Sequence, residues 1–294
     1  MSNFDVEREI AEQQESDYVF GAIVTPNIYH IEEARRQDFL PIGELQFGKE
    51  DFMDCASRSP TNAFEAYFTH AYQNNLFKPE NKAWLEKNGY IQGGKVTFSD
   101  RFCAIGSGTT RSGNSLKSPL DFCHRSGMIP KTMLPKPEGA TWDEYHNPAS
   151  VTEEMHELGR QFTLRFVLNY ERVYAIHFSE ALKDGILCVA SFAWPAPVNG
   201  EYPPSNNPPN HAYIIYRNKF FAFDNYIDPT DGDFIKKLAP GYIFFDYGYR
   251  VYVSKEVVGV EFAIKAYNIF HMFGLVGSFA DFWEKFKQAL KGFL

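Results

Sequence analysis

Five residue types spaced along the chain can together do nucleophilic chemistry: a glutamine at 46, a cysteine at 55, a histidine at 211 and an Asp-Asn pair at 224–225. A cysteine nucleophile needs a thiol whose pKa is lowered by a helix N-terminus and a nearby imidazole. It needs a base oriented by a third polar group, and donors for the oxyanion that forms on the substrate. Cys55 lies just ahead of the strongest helical stretch, and Gln46 upstream carries a side-chain amide able to donate to an oxyanion. His211 heads a β-branched and aromatic run, "HAYIIY", and "FFAFDNYI" follows one turn later. In a β-hairpin the start of one strand faces the end of its partner, so His211 and the Asp224-Asn225 pair are expected at one end of a sheet.

Other chemistries lack their residues. "GTTRSGNS" has the glycine spacing of a phosphate loop, but Asn114 stands where the lysine belongs. "EEMHE" around His156 cannot place two imidazoles on one helix face, and "DPTDGD" lacks the register of a calcium loop. The nucleophile elbow G-x-S-x-G does not occur. No metal and no cofactor is therefore expected.

These side chains must be held by a fold, and the pattern of the chain says which kind. "PTNAFEAYFTHAYQNNL" repeats apolar residues at three- and four-residue steps and predicts the best helix. "NKAWLEKNGY" predicts a second and "SLKSPLDFCHRSGMIP" a third, stopped by Gly127 and Pro130. "TEEMHELGRQFTLRFVLNYERV" reads as a fourth, while "GKVTFSDRFCAIGSGTTRSGNS" reads as a short apolar stretch running into a Gly/Ser/Thr loop. After about residue 170 the segments turn short, β-branched and aromatic, with Gly, Pro and Asn between them. Helices first and strands second predict an α+β protein in two segregated halves, with the site between them.

Here the sequence resembles the papain-like cysteine peptidases, over roughly residues 33–252. "RRQDFLPIGELQ" looks like the entry loop bearing the family's oxyanion glutamine, and "DCASRSPTNAFEA" like the start of its central helix. "GNSLKSPLDFCHRSGMIPKTMLP" is similar to the glycine-bearing substrate loop and the helix after it. "SEALKDGILCVASF" and "NHAYIIY" resemble the strand entry and the histidine strand, and "FDNY" sits where the family has Asn-Ser-Trp. The spacing from Cys55 to His211 also falls near the 130–150 residues usual there.

The resemblance implies a two-lobed fold: a helical N-terminal half, an antiparallel sheet or barrel as the C-terminal half, and an active site in the cleft between them. It implies Cys55 as nucleophile, His211 as base, Gln46 as oxyanion donor, and Asp224 or Asn225 as the group that orients the imidazole, with Asp224 preferred. Ser112 and Gly113 are the implied substrate-binding residues, although a loop glycine needing positive φ explains Gly113 equally well. The substrate would be a peptide or protein. A catalytically inactive binding or virion-assembly module, or a thiol amidase or transferase using the same residues, are the alternatives, and the flavour is that of tailed-phage and bacterial members. Two departures stand in the nucleophile segment: Ala56 replaces the family's tryptophan, and Pro60 favours a first helical turn. If the helix begins at Ser59-Pro60, Cys55 sits one turn ahead of it and gains little from the helix dipole.

The bulk numbers set the remaining bounds. The 294 residues include 17% aromatics and carry a net charge of −8, which argues against nucleic acid as a partner. No eighteen-residue apolar run is present, so no membrane span is expected. The charged N-terminus lacks an apolar core, so no secretory signal is read and a cytoplasmic or virion-associated location is expected. The four cysteines, Cys55, Cys103, Cys123 and Cys188, are expected as free thiols. Residues 1–32 read as an extension, 33–254 as the peptidase-like domain and 255–294 as a tail. In that tail Phe279, Phe282, Trp283, Phe286, Leu290 and Phe293 stand at helical spacing, as for a helix docked on the domain or on a partner.

Overall fold

The computed structural model describes residues 4–12, 29–192, 194–218, 221–228 and 232–254. The aromatic stripe of the tail lies outside the described residues.

A short helix, α1 (Val6–Ala11), comes first, capped by the Asp5 carboxylate accepting from Arg8 N. A 3-10 turn at Glu33–Phe39 follows in the entry segment. There Arg36, fully buried, donates to the carbonyls of Ile31, Gly185 and Tyr216 and so ties the segment to the later half of the chain. The central helix α2 (Cys55–Gln73) is buried over nearly its whole length. It begins at Cys55, so Pro60 is inside it and not in its first turn. The missing N–H leaves the Ala56 carbonyl without its i+4 donor; nearby, Thr61 Oγ1 donates to Ser57 O within the helix, and Ser59 Oγ donates across to Tyr213 O in the later half of the chain.

The helical half continues with α3 (Pro79–Lys87), the small hairpin β1 (Ile91–Gln92) and β2 (Lys95–Val96), α4 (Asp100–Gly106), α5 (Lys117–Ser126), α6 (Trp142–Tyr145) and α7 (Glu153–Thr163). Two expectations are corrected here. The Ser99 hydroxyl accepts from Phe102 N and starts α4 within the segment expected as a short apolar stretch running into a loop. The fourth helix stops at Thr163, and residues 167–174 form a strand; its partner is the last strand among the described residues, more than seventy residues away.

The second half holds β3 (Val167–Tyr174), α8 (Phe178–Asp184), β4 (Ile186–Ser191), β5 (His211–Arg217), β6 (Phe221–Phe223), β7 (Ile235–Lys237) and β8 (Tyr247–Ser254). Its sheet has the order β3-β8-β4-β5-β6-β7 with every pair antiparallel. Period-two alternation splits β4 between two cores. Ile186, Cys188 and Ala190 face the main core with α2, while Leu187 and Val189 join a smaller one with Phe178 and Leu182 of α8. The helix α2 packs on β4, β5 and β8 on one side and on β2, α4 and α5 on the other. It is therefore the wall between the halves, and its first turn opens beside the head of β5.

Candidate active site

Asp54 is the residue before α2, and its carbonyl accepts from Ser57 N and Arg58 N at 2.9 Å each. That places Cys55 at the first helical position, where the backbone N–H groups have no intrahelical partner and an anion is favoured. The side chain of Asp54 does not cap the helix. It takes both bonds of Arg58 Nε at 2.9 Å and a third from Tyr145 Oη at 2.6 Å.

His211 is brought to Cys55 by β5, which lies directly on α2. The β5–β6 register pairs Ile214 with Phe223, so Asp224 emerges beside the imidazole. His211 Nε2 donates to Asp224 Oδ1 at 2.8 Å. Nδ1 is buried with no hydrogen-bond partner, and the Cys55 thiol lies near enough to the ring to act on its charge. The Ala212 N–H adds a backbone bond to the sulfur. Cys55, His211 and Asp224 are each 1% exposed.

The electrostatics follow from that burial. Desolvation works against a charged imidazole, but the Asp224 carboxylate and Cys55 outweigh it and raise His211 to about 10. Burial pushes the Cys55 thiol up; the imidazole pulls it down by charge without overturning the rise. Burial thus favours the neutral thiol, while the Asp224 carboxylate favours the charged imidazole. Admitting water weakens the largest opposing effect and leaves His211 to draw the sulfur toward thiolate.

Of the Asp-Asn pair, Asp224 is the imidazole's partner. Asn225 accepts from Asn62 Nδ2 and donates to Glu44 O, both at 2.8 Å, and so braces the entry loop against α2. Gln46 is fully buried in that loop. Its amide nitrogen donates to Asp51 Oδ1 at 2.9 Å and to Tyr226 Oη at 2.8 Å, which uses both its hydrogens. Gly113 has φ 90°, and its N and O both pair with Thr110 across a tight turn, so no backbone group of this glycine is left for a substrate. Ser112 stands exposed at the tip of that turn. The edge lies one residue on, at Asn114, whose carbonyl accepts from Asp5 N at 3.0 Å. Phe4 N donates to the carbonyl of Asn210, the residue before the histidine, at 3.1 Å. The stretch from Phe4 to α1 therefore spans from the substrate-type loop to the histidine strand. Buried Glu9 anchors it, accepting from Leu116 N at 2.6 Å and Tyr249 Oη at 2.7 Å.

Three participants had no sequence argument behind them. Trp194 Nε1 donates to Asp224 Oδ2 at 2.6 Å, so both carboxylate oxygens are held. Tyr226 lies with its ring 5.0 Å from the His211 ring and donates to Asp51 Oδ2. Asp51 also accepts from Met53 N at 2.8 Å. Position in "FDNY", two residues past Asp224, was the signal available for Tyr226; Trp194 comes from a loop with no pattern of its own.

No family model matches the chain, and no curated protein sequence matches it. Solved structures do. Xylellain, a cysteine protease from Xylella fastidiosa, superposes with a TM-score of 0.52 at 13% identity, over 87% of this chain and 97% of that one. The fold is papain-like. The Amb a 11 cysteine protease, a ragweed pollen allergen in its proform, matches at TM-score 0.44 and 13% identity over 80% of this chain and 69% of that one. The cysteine protease and lectin-like domains of Cwp84, a surface-layer associated protein of Clostridium difficile, match at 0.49 and 10% over 87% and 61%. Within this papain-like frame Cys55 starts the central helix and His211 heads the facing strand. Among the described residues no helix is long and apolar enough to cross a membrane, and no cluster of three or more His, Cys, Asp or Glu side chains is arranged to hold a metal ion. All four cysteines are free thiols.

Proposed function

We propose that the chain is a cysteine peptidase of papain-like fold. The observation that carries this is the Asp224–His211 pair beside Cys55, with the sulfur on the first turn of α2 and the imidazole Nδ1 left without a hydrogen-bond partner. The Cys55 thiolate adds to the carbonyl carbon of a peptide bond, and the oxyanion is stabilised by the Gln46 amide and the Cys55 N–H. His211, held by Asp224, gives its proton to the leaving amine as the C–N bond breaks. It then takes a proton from water, which hydrolyses the thioester and frees the sulfur. The substrate is a peptide or protein segment laid along the cleft between the halves.

The same site supports a second reading, an inactive binding module, because Cys55 is buried, its thiol is raised and the Gln46 amide is committed elsewhere. Labelling with iodoacetamide at neutral pH separates the two. Fast modification confined to Cys55, with turnover of a casein or peptide substrate, supports the peptidase; four uniformly slow thiols and no turnover sink it. Cys55 labelling without peptide hydrolysis, but with cleavage of isopeptide or amide substrates, identifies a thiol amidase or transferase.

A further inference from the structure

The reaction just described uses Gln46 as its side-chain oxyanion donor, yet Gln46 sits inside a larger constellation. Its amide nitrogen, the Tyr226 hydroxyl and the Met53 backbone N–H converge on one anion, the Asp51 carboxylate. Asp51 is held by Met53, two residues before Cys55, and by Tyr226, whose ring lies 5.0 Å from the His211 ring, so this anion sits close to the nucleophile and acts on its charge. The phenol ring packs against the His211 ring at 5.0 Å and edge-on to Phe47 at 5.7 Å, which fixes where its hydroxyl points. Three donors of different origin around one negative oxygen pair is what an oxyanion hole requires. Here it is filled by a side chain of the protein itself.

Two further observations mark this filled state as one of two. Gln46 Oε1 is buried with no hydrogen-bond partner, a cost that a rearranged amide would remove. Met53, two residues before the nucleophile, holds φ 56°, a left-handed conformation that a non-glycine residue adopts only when its surroundings impose it. Its N–H is bonded to Asp51, so the strained backbone and the carboxylate are parts of one arrangement.

We propose that Tyr226 is a catalytic residue, an oxyanion donor acting beside Gln46, and that the Asp51 carboxylate is a resident stand-in for the oxyanion which substrate must displace. The assignment rests on the peptidase reading. When the thiolate adds to the carbonyl carbon, the C=O π pair moves to oxygen and takes hydrogen bonds from Tyr226 Oη and Gln46 Nε2, both released from Asp51. When the intermediate collapses, the pair returns to the C–O bond, the C–N bond breaks and the His211 proton goes to nitrogen. Tyr226 keeps its own proton throughout.

The test compares wild type with Tyr226→Phe and Asp51→Asn in the full chain, using fluorophore-labelled casein, a tripeptide aldehyde and iodoacetamide. Tyr226→Phe keeps the ring packing and removes only the hydroxyl. It is expected to lower kcat about 10²-fold with KM within about threefold, and to weaken the aldehyde, whose adduct carries the same oxyanion, by a similar factor. Alkylation of Cys55 by iodoacetamide forms no oxyanion and should keep its wild-type rate. Asp51→Asn should raise both kcat/KM and the alkylation rate. The assignment is overturned if Tyr226→Phe keeps wild-type kcat, or if alkylation falls together with turnover, which would mark a purely structural hydroxyl. A loss of turnover in Asp51→Asn would show that the carboxylate aligns the donors and does not block them. A wild-type protein with no turnover and no Cys55-selective alkylation would instead remove the peptidase reading underneath.

Discussion

Two buried ionic groups flank the first turns of α2, and they differ in one respect. In the first, Arg58 gives Nε to both oxygens of Asp54 at 2.9 Å, Nη1 to Asp100 at 3.0 Å and Glu44 at 3.3 Å, and Nη2 to Tyr145 Oη at 3.5 Å. Every nitrogen of the guanidinium is used, and the carboxylates around it raise it further above its ordinary value. In the second, His211 spends Nε2 on Asp224, whose other oxygen is held by Trp194, and leaves Nδ1 without a hydrogen-bond partner. The Arg58 guanidinium, with all its nitrogens engaged, holds position: it joins the entry loop, α2, α4 and α6. The group left open at one atom can exchange a proton. The guanidinium has every nitrogen engaged, whereas the imidazole keeps one ring nitrogen open near a sulfur, although Arg58 and His211 are equally buried.

The comparison predicts opposite kinds of damage. Cys55→Ala, at the open group, should lower turnover by about 10⁵-fold while the melting temperature stays near wild type, since one small buried apolar residue replaces another; peptide hydrolysis at wild-type rates would end the assignment. Asp224→Asn should lower kcat by about 10²- to 10⁴-fold. It should also move the alkaline limb of the pH–rate profile down from about 10, because the carboxylate that raises His211 is gone. A limb that stays put would show that Asp224 does not set the imidazole.

At the saturated group the loss is in folding. Arg58→Ala strands the Asp54, Asp100 and Glu44 carboxylates and should cost about 3–5 kcal/mol in denaturant unfolding. An unchanged midpoint would contradict its structural role. The smallest effect is a slope. Glu65, buried behind the Arg58 group and accepting from Phe98 N at 2.6 Å, is raised from 4.5 to about 8, with burial as the largest cause and the Asp100 charge next. Its proton is held more tightly in the folded state, so the stability it contributes is complete below 4.5 and is lost as pH rises to about 8. Glu65→Gln should flatten the fall of stability across that window. A residual slope from Asp100, raised from 3.8 to about 6, should remain at the lower end.

How much of this was legible depended on whether neighbours in the sequence settle the matter. The helix of residues 55–73 shows in its three- and four-residue spacing, but its start did not. Pro60 argued for a beginning at Ser59, and the chain begins the helix at Cys55 because Asp54 is pinned by Arg58 of the same helix and by Tyr145 of α6. The strand at 167–174 was read as helix because its partner, β8, lies at the far end of the described chain. Pairing across that distance outweighs a local propensity of a few tenths of a kcal/mol per residue.

Sequence alone determined the residue types that can react, their order, and the hairpin that brings His211 to Asp224, because each follows from local periodicity and turn chemistry. Which of Asp224 and Asn225 faces the imidazole was decided by tertiary structure, through Trp194 on one and Asn62 on the other. Tertiary structure also decided that Gln46 meets Asp51 and Tyr226, and that Gly113 closes a turn and leaves the edge to Asn114. The physical reason is the same in each case. A buried polar group must find its partner wherever the fold supplies one, and the partner's distance along the chain carries no cost once the core has formed.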